Sequence, residues 1–341
     1  MRPMIPRSEQ LIHSISWQSE LSGAITDLGE LLTYTGHPID SFHGLDKSHP
    51  DFPLRVPRPF ADRIIPGDPN DPLLRQVLPL QEEKHETPGY ISDPLDEAAS
   101  NVTPGIIHKY QGRVLLILTG ACAVNCRYCF RREFPYDENL NSMNEWQKAL
   151  DYIRQDNSIS EVIYSGGDPL LNSDKKLRQL TQSIADIPHI KRLRIHTRLP
   201  IVIPQRVNPE LLDWLTQTRL KTVMVIHTNH ANEIDHLVEN ALLHLKERGV
   251  TLLNQSVLLK GVNDSPAALF DLSERLFEAG VQPYYLHMLD KIRGAAHFDM
   301  SEAEAQTLVG QLTSQLPGYL VPKLVRENPG QPAKTLMLPR I

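Results

Sequence analysis

From Arg113 onward, short β-rich runs alternate with longer amphipathic ones at a regular interval, and this alternation restricts the fold more than any other feature. The runs RVLLILTG, EVIYSGGD, RLRIHTR, TVMVIHT, TLLNQSVLL and PYYLHML read as strands. Between them, NEWQKALDYIRQD, KKLRQLTQSIADI, NPELLDWLTQT, NEIDHLVENALLHLKERG and SPAALFDLSERLFEAG carry apolar residues at helical spacing. Strand–helix–strand units of this length imply parallel strands joined by right-handed crossovers. Six units fall short of the eight that close a TIM barrel. The expected fold is therefore α/β, a partial, TIM-like (α/β)6 barrel rather than a doubly wound sheet. Gly120, Gly166, His196, His227 and Asp290 all fall near strand C-termini, the edge where such folds build their sites.

Three regions are expected: an N-terminal helical and extended arm at 1–105, the barrel at 106–316 and a tail at 317–341. In the first, residues from about 8 to 35 show helical spacing through Leu21, Ile25, Leu28, Leu31 and Leu32. A proline-dense zone follows between about Pro50 and Pro104, without long periodic segments, as befits an extended arm wrapping a domain. The tail holds one strand-like run and is too short to be a domain. Formal net charge is -6, so no global basic field invites nucleic acid or an anionic membrane. No run has the length of a signal or membrane-spanning segment, which places the expected location in the cytoplasm. Disulfides are rare in that reducing compartment, so thiols gathered together there bind metal or do redox work.

The chain has three cysteines, all within CAVNCRYCF, directly after the first barrel strand. Cys122, Cys126 and Cys129 have the spacing C-x3-C-x2-C. Three thiolates on one loop can hold three irons of a cubane and leave the fourth without a protein ligand, whereas ordinary electron-transfer clusters use four cysteines. A site short by one ligand suits an exogenous molecule. Incidental thiols, or a zinc site completed by a histidine, are the alternatives; structural zinc sites usually pair CxxC knuckles. The motif resembles the signature of the radical S-adenosylmethionine superfamily, whose fold is also a partial (α/β)6 barrel. That resemblance implies a 4Fe-4S cluster chelating S-adenosylmethionine at its open iron, and a 5'-deoxyadenosyl radical on reduction.

SGGDP follows the second strand. Adjacent glycines permit either a tight turn or close approach to a ligand. Under the resemblance, Gly166, Gly167 and Asp168 match the motif that meets the cofactor's amino group, and His227 also faces the cofactor. His227 and His230, three apart, lack the carboxylate partner or HExxH context of a metal site.

From roughly residue 50 onward the chain is similar to the lysine 2,3-aminomutases, through HKYQGRVLL, CRYCFRREF, YSGGDPLL, LPIVIPQR, NHANEID, LLNQSVLLKGVND, PYYLHMLD and GAAHF. This resemblance implies a second cofactor, pyridoxal 5'-phosphate, with its aldehyde on Lys334 and its phosphate contacted by Lys109, Arg113 and Gln255. Lys109 stands where the free-lysine enzymes commonly have arginine, which keeps the charge but loses bidentate geometry. It further implies L-lysine as substrate, the α-carboxylate on Arg131 and the ε-ammonium between Asp290 and Glu327, with Arg132 structural. Glu327 replaces an aspartate of that pattern and reaches one methylene further. The expected reaction moves nitrogen from C2 to C3 to give β-lysine. The chain ends, and the segment VPRPFADRIIPGDPNDPLLRQVLP, resemble the bacterial aminomutases that supply (R)-β-lysine for modifying elongation factor P. A separate ligase would attach the product, a flavodoxin-type reductant would supply the electron, and a homo-oligomer is compatible with the resemblance. A catabolic lysine enzyme, an aminomutase for another amino acid, and an iron–sulfur electron carrier or sensor are the competing readings.

Overall fold

The computed structural model describes residues 16–42, 44–48, 52–136 and 143–340, with the side chains of 143–145 left aside. Ten strands form one sheet in sequential order. They are β1 (Asn101–Thr103), β2 (Ile106–Tyr110), β3 (Arg113–Thr119), β4 (Glu161–Gly166), β5 (Arg192–Thr197), β6 (Lys221–His227), β7 (Thr251–Val257), β8 (Gln282–His287), β9 (Lys323–Arg326) and β10 (Thr335–Leu336). The six runs read as strands are β3 to β8, and all neighbours from β3 to β9 pair in parallel. Antiparallel strands extend both ends, β1–β2 beside β3 and β10 beside β9. Consecutive strand order with helical crossovers gives an open, partial TIM-like barrel, as expected.

The helices Asp174–Ala185, Pro209–Thr216, His236–Glu247, Pro266–Glu278 and Glu302–Thr313 each start at a polar cap: Ser173, Asn208, Asp235, Ser265 and Ser301. Each cap accepts a backbone N–H that the first turn leaves without a partner, worth about 1 kcal/mol. The crossover before β4 is the helix Met143–Gln155. The last of these helices was not among the five anticipated; it completes the sixth strand–helix unit. Along β4, Val162 and Tyr164 join the core shared with the helices, while Ile163 and Ser165 face the barrel interior. This period-2 split separates packing from function.

The anticipated N-terminal helical stretch is two helices, Trp17–Ser22 and Leu28–Tyr34, separated where Ile25 pairs with Val56 of the arm. Residues 8–15 of that stretch lie outside the described residues. Phe60, Leu73, Leu74 and Val77 of the arm are fully buried in the main core. Polar ties add to this: Arg63 donates to the carbonyls of Ile201, at 2.6 Å, and Glu233. The three regions drawn from the sequence therefore share structure. The sheet starts at Asn101, inside the first, and β9 and β10 carry the tail into the same sheet. Among the described residues no helix is long and apolar enough to cross a membrane.

Candidate active site

The cysteine loop leaves β3 and folds against the turn after β4. Gly167 N–H donates to Thr119 O at 2.6 Å and Asp168 N–H to Ala121 O at 2.8 Å. Two backbones at this separation leave no room for side chains. A Cβ on Gly167 would lie 2.2 Å from Ala121 O, and one on Gly166, whose φ is +117°, would lie 2.5 Å from Thr119 O. The glycine pair is thus required by the contact between the two loops. The Asp168 carboxylate turns inward and is fully engaged. It accepts from Thr197 Oγ1 (2.7 Å) and from the backbone N–H groups of Leu170 (3.1 Å), Arg198 (2.8 Å) and Leu199 (2.9 Å). Its visible work is to fasten the turn after β5 to the turn after β4.

The three thiols sit beside buried cations. Arg198 Nη1 donates to Cys126 Sγ at 2.7 Å and to Tyr128 Oη at 2.7 Å, while its Nη2 is held by Gln76 (2.8 Å) and Glu233 (2.9 Å). Burial, reinforced by the neighbouring thiols, pushes Cys122 well up and Cys129 up to about 11. Three thiolates so enclosed need a cationic group to neutralise them. The donor set, three cysteines on one loop, fits an iron–sulfur cluster with one open iron. Among the described residues no three His, Cys, Asp or Glu side chains gather around a single-ion site.

The arginines of the same loop reach the proline-rich arm. Arg127, 1 % exposed, forms a two-pronged pair with Glu83 (2.6 and 2.8 Å), which Arg132 joins at 3.0 Å. Arg131 forks onto Glu97, Nε at 2.7 Å and Nη2 at 2.6 Å, and its Nη1 donates to Ser165 Oγ and Gly166 O. Four of its five N–H groups are thereby used, leaving one on Nη2. Arg132 bonds Glu83 and the carbonyl of Arg127 and is not part of the cavity wall described below. Sequence reasoning missed Glu83, Glu97, Arg198 and Glu233, although Arg198 directly precedes LPIVIPQR and Glu233 lies within NHANEID.

A cavity of about 310 Å³ opens inside the barrel, and eight of the anticipated residues line it: Lys109, Arg113, Arg131, His227, Gln255, Asp290, Glu327 and Lys334. The cysteines, Gly166, Gly167 and Asp168 are not part of its wall, whereas Tyr128, Phe130 and Arg131 of the cysteine loop are. Glu327 binds two cations at once, Lys109 Nζ at 2.8 Å and Lys334 Nζ. Against burial, these hold its carboxyl down at about 2. Lys109 also donates to Leu95 O at 2.9 Å. The structure therefore ties Lys109 to Glu327, where the resemblance assigned it to a phosphate.

Asp290 behaves oppositely. No hydrogen-bond partner reaches its carboxylate among the described residues, and burial plus the nearby Glu327 charge raise it to about 7. Gln255 Nε2 donates to His227 Nε2 at 2.9 Å, so His227 carries its proton on Nδ1. Burial first, then Arg198, Arg131 and Lys334, lower His227 to about 3 and keep it neutral. Tyr284 and Tyr285, ring centroids 3.8 Å apart, form an aromatic wall, with Lys334 Nζ 5.9 Å from the Tyr285 ring centroid. Arg113 has no carboxylate partner among the described residues and lies over the Tyr110 ring at 4.7 Å. A lysine, an aromatic wall and a guanidinium without a carboxylate partner among the described residues fit a planar, phosphorylated aldehyde.

Comparison with known proteins agrees with this geometry. The Radical SAM superfamily model matches residues 116–272, a span that includes all three cysteines and SGGDP. A protein named L-lysine 2,3-aminomutase from Haemophilus influenzae is 50% identical over 98% of this chain and 98% of its own length. Proteins of the same name from Escherichia coli (50% identical, 94% of this chain, 93% of theirs) and Buchnera aphidicola (45% identical, 94% and 95%) are similar throughout. With a matched radical SAM segment and relatives this similar along nearly the whole chain, the protein belongs to the L-lysine 2,3-aminomutase family of the radical SAM superfamily.

Proposed function

We propose that the protein converts L-lysine to (R)-β-lysine by 2,3-migration of the amino group, with a 4Fe-4S cluster, S-adenosylmethionine and pyridoxal phosphate as cofactors. The observation that carries this reading is one cavity, beside the cysteine loop, that holds Lys334, a free carboxylate at Asp290 and the guanidinium of Arg131. When bound, the cluster with S-adenosylmethionine supplies carbon-radical chemistry, and pyridoxal phosphate supplies a conjugated carbonyl that delocalises an unpaired electron.

The chain's own groups orient the substrate. Asp290 receives the ε-ammonium, because it is the cavity carboxylate with no cation on it. Glu327 supports it through charge while holding Lys334 and Lys109. The α-carboxylate meets the N–H that Glu97 leaves free on Arg131. A lysine must shed its proton to attack a carbonyl. Cys122, Cys126 and Cys129 hold the cluster. Gly166, Gly167 and Asp168 shape the loop above it, and His227, kept neutral, offers the cofactor a hydrogen-bonding ring without adding charge. Leu95, Ile107, Leu115, Phe130, Ile163 and Val257 line the remaining wall and keep water from reactive intermediates.

Use of the product to modify elongation factor P, through a separate ligase and with a flavodoxin-type electron donor, belongs to the same proposal and is supported by the resemblance of the arm segment. The test is anaerobic reconstitution followed by borohydride reduction and peptide mass mapping. A pyridoxyl mass on Lys334, lost together with product formation in Lys334→Ala, is the expected result. A Lys334→Ala protein that retains its pyridoxal content, or a wild-type protein that yields no β-lysine, would overturn the reading.

A further inference from the structure

The proposed reaction leaves a buried polar network unused. Gln76 of the arm, Tyr128 of the cysteine loop, Arg198 just beyond β5, and Asn229 and Glu233 beyond β6 meet around the Arg198 guanidinium, and Gln76 and Glu233 are fully buried. All four terminal N–H groups of Arg198 are taken: Nη1 by Cys126 Sγ and Tyr128 Oη, each at 2.7 Å, and Nη2 by Gln76 Oε1 at 2.8 Å and Glu233 Oε2 at 2.9 Å. The partners also fix one another. Gln76 Nε2 donates to Glu233 Oε1 at 3.1 Å, and Asn229 Nδ2 donates to Gln76 Oε1 at 2.9 Å and to Tyr128 Oη at 2.7 Å. The backbone N–H of Arg198 donates to Asp168 at 2.8 Å, so the residue is anchored at both ends.

This anchoring has a consequence for Cys126. Arg198 is the one guanidinium among the described residues that donates to a cysteine sulfur. A hydrogen bond from a cation to a ligating thiolate stabilises added negative charge, so it favours the reduced form of a cluster held there. Glu233 works the other way, as an anion behind the same guanidinium. Against burial, Arg198 and the backbone N–H of Asn229 hold its carboxyl below the usual range. A guanidinium can serve sulfur, phenol and carboxylate at once in a fixed fork, which an ammonium cannot.

We propose that Arg198 is a positioning residue that sets the reduction potential of the cluster through Cys126 Sγ, with Glu233 and the arm residue Gln76 fixing its charge balance and its angle. In the reduction one electron passes to the cluster from an external one-electron donor. No bond forms or breaks in the network, and Arg198 keeps its protons. The inference rests on the assignment of the cluster to Cys122, Cys126 and Cys129 above.

The test is a redox titration of the reconstituted full-length protein, read by electron paramagnetic resonance of the reduced cluster, with iron per chain measured alongside. Arg198→Lys should lower the ratio of reduced to oxidised cluster at a fixed applied potential about tenfold, a shift of about 59 mV. Glu233→Gln leaves the guanidinium in place without its counter-charge and should shift the ratio the opposite way. A merely structural network would move both variants in the same direction or cost both their iron; either result, or no shift at all, would overturn the proposal. A second measurement needs no variant: pulsed resonance on reduced wild type carrying arginine labelled with nitrogen-15 in the guanidino group. A guanidino coupling to the cluster is expected, and its absence would contradict the bond to Cys126. Wild type that binds no 4Fe-4S cluster would overturn the cluster assignment instead, and the proposal with it.

Discussion

Asp290 and Glu327 share one cavity and one sign of charge, yet their proton affinities move in opposite directions. Glu327 is held down at about 2 by two lysines, whereas Asp290, buried and unpaired beside it, is raised to about 7. The consequence is a signature of substrate binding. Below pH 7 the empty site holds a proton on Asp290, and an arriving ε-ammonium favours the ionised form. Lysine binding at pH 6 should therefore release close to one proton, detectable by calorimetry in buffers of different ionisation enthalpy, and affinity should rise with pH up to about 7. Asp290→Asn should abolish the release. The signs of these side chains were legible in the sequence. Their partners were not, because Lys109 and Glu327 lie 218 residues apart in the chain, one on β2 and the other just beyond β9.

At the scale of elements, strands β3 to β8 were legible because their apolar runs, β-branched content and flanking helices all agree. The hairpin strand β2 was not, since HKY alternates poorly; its register comes from the turn at Gly112, where φ is +78°. The helix Glu302–Thr313 was not read either: its apolar stripe is thin and includes Ala305 and Gly310, although Ser301 and Glu304 form a capping box at its start. Gly310 is small because the backbone of Arg340 packs on it, with a would-be Cβ 1.9 Å from Arg340 O. The glycine pair after β4 was visible as a motif, but its cause, contact with the cysteine loop, was not. Gly167→Ala must push that loop away. We expect a folded protein that takes up iron poorly on reconstitution, measured as iron per chain and by the visible absorbance of the cluster.

Across the whole molecule, charge pairs join parts that the sheet does not. Lys109 on β2 and Glu327 just beyond β9 connect the two ends of an open barrel. The Glu83 and Glu97 carboxylates of the arm meet Arg127, Arg132 and Arg131 of the cysteine loop. The arginine run therefore has two tasks, and most of it staples the arm to the cluster loop. Removing one partner of a buried pair leaves the other charge uncompensated, at a cost of about 3–5 kcal/mol. Glu83→Gln should lower the denaturant midpoint accordingly and open the arm to limited proteolysis, with β-lysine formation lost in parallel with the cluster. The central claim, migration of nitrogen within lysine, is tested most directly by NMR of the product formed from L-lysine labelled with nitrogen-15 at the α-amino group, in the presence of S-adenosylmethionine and reductant. The account predicts β-lysine with the label wholly on C3; unlabelled β-nitrogen, or no β-lysine at all, would contradict it.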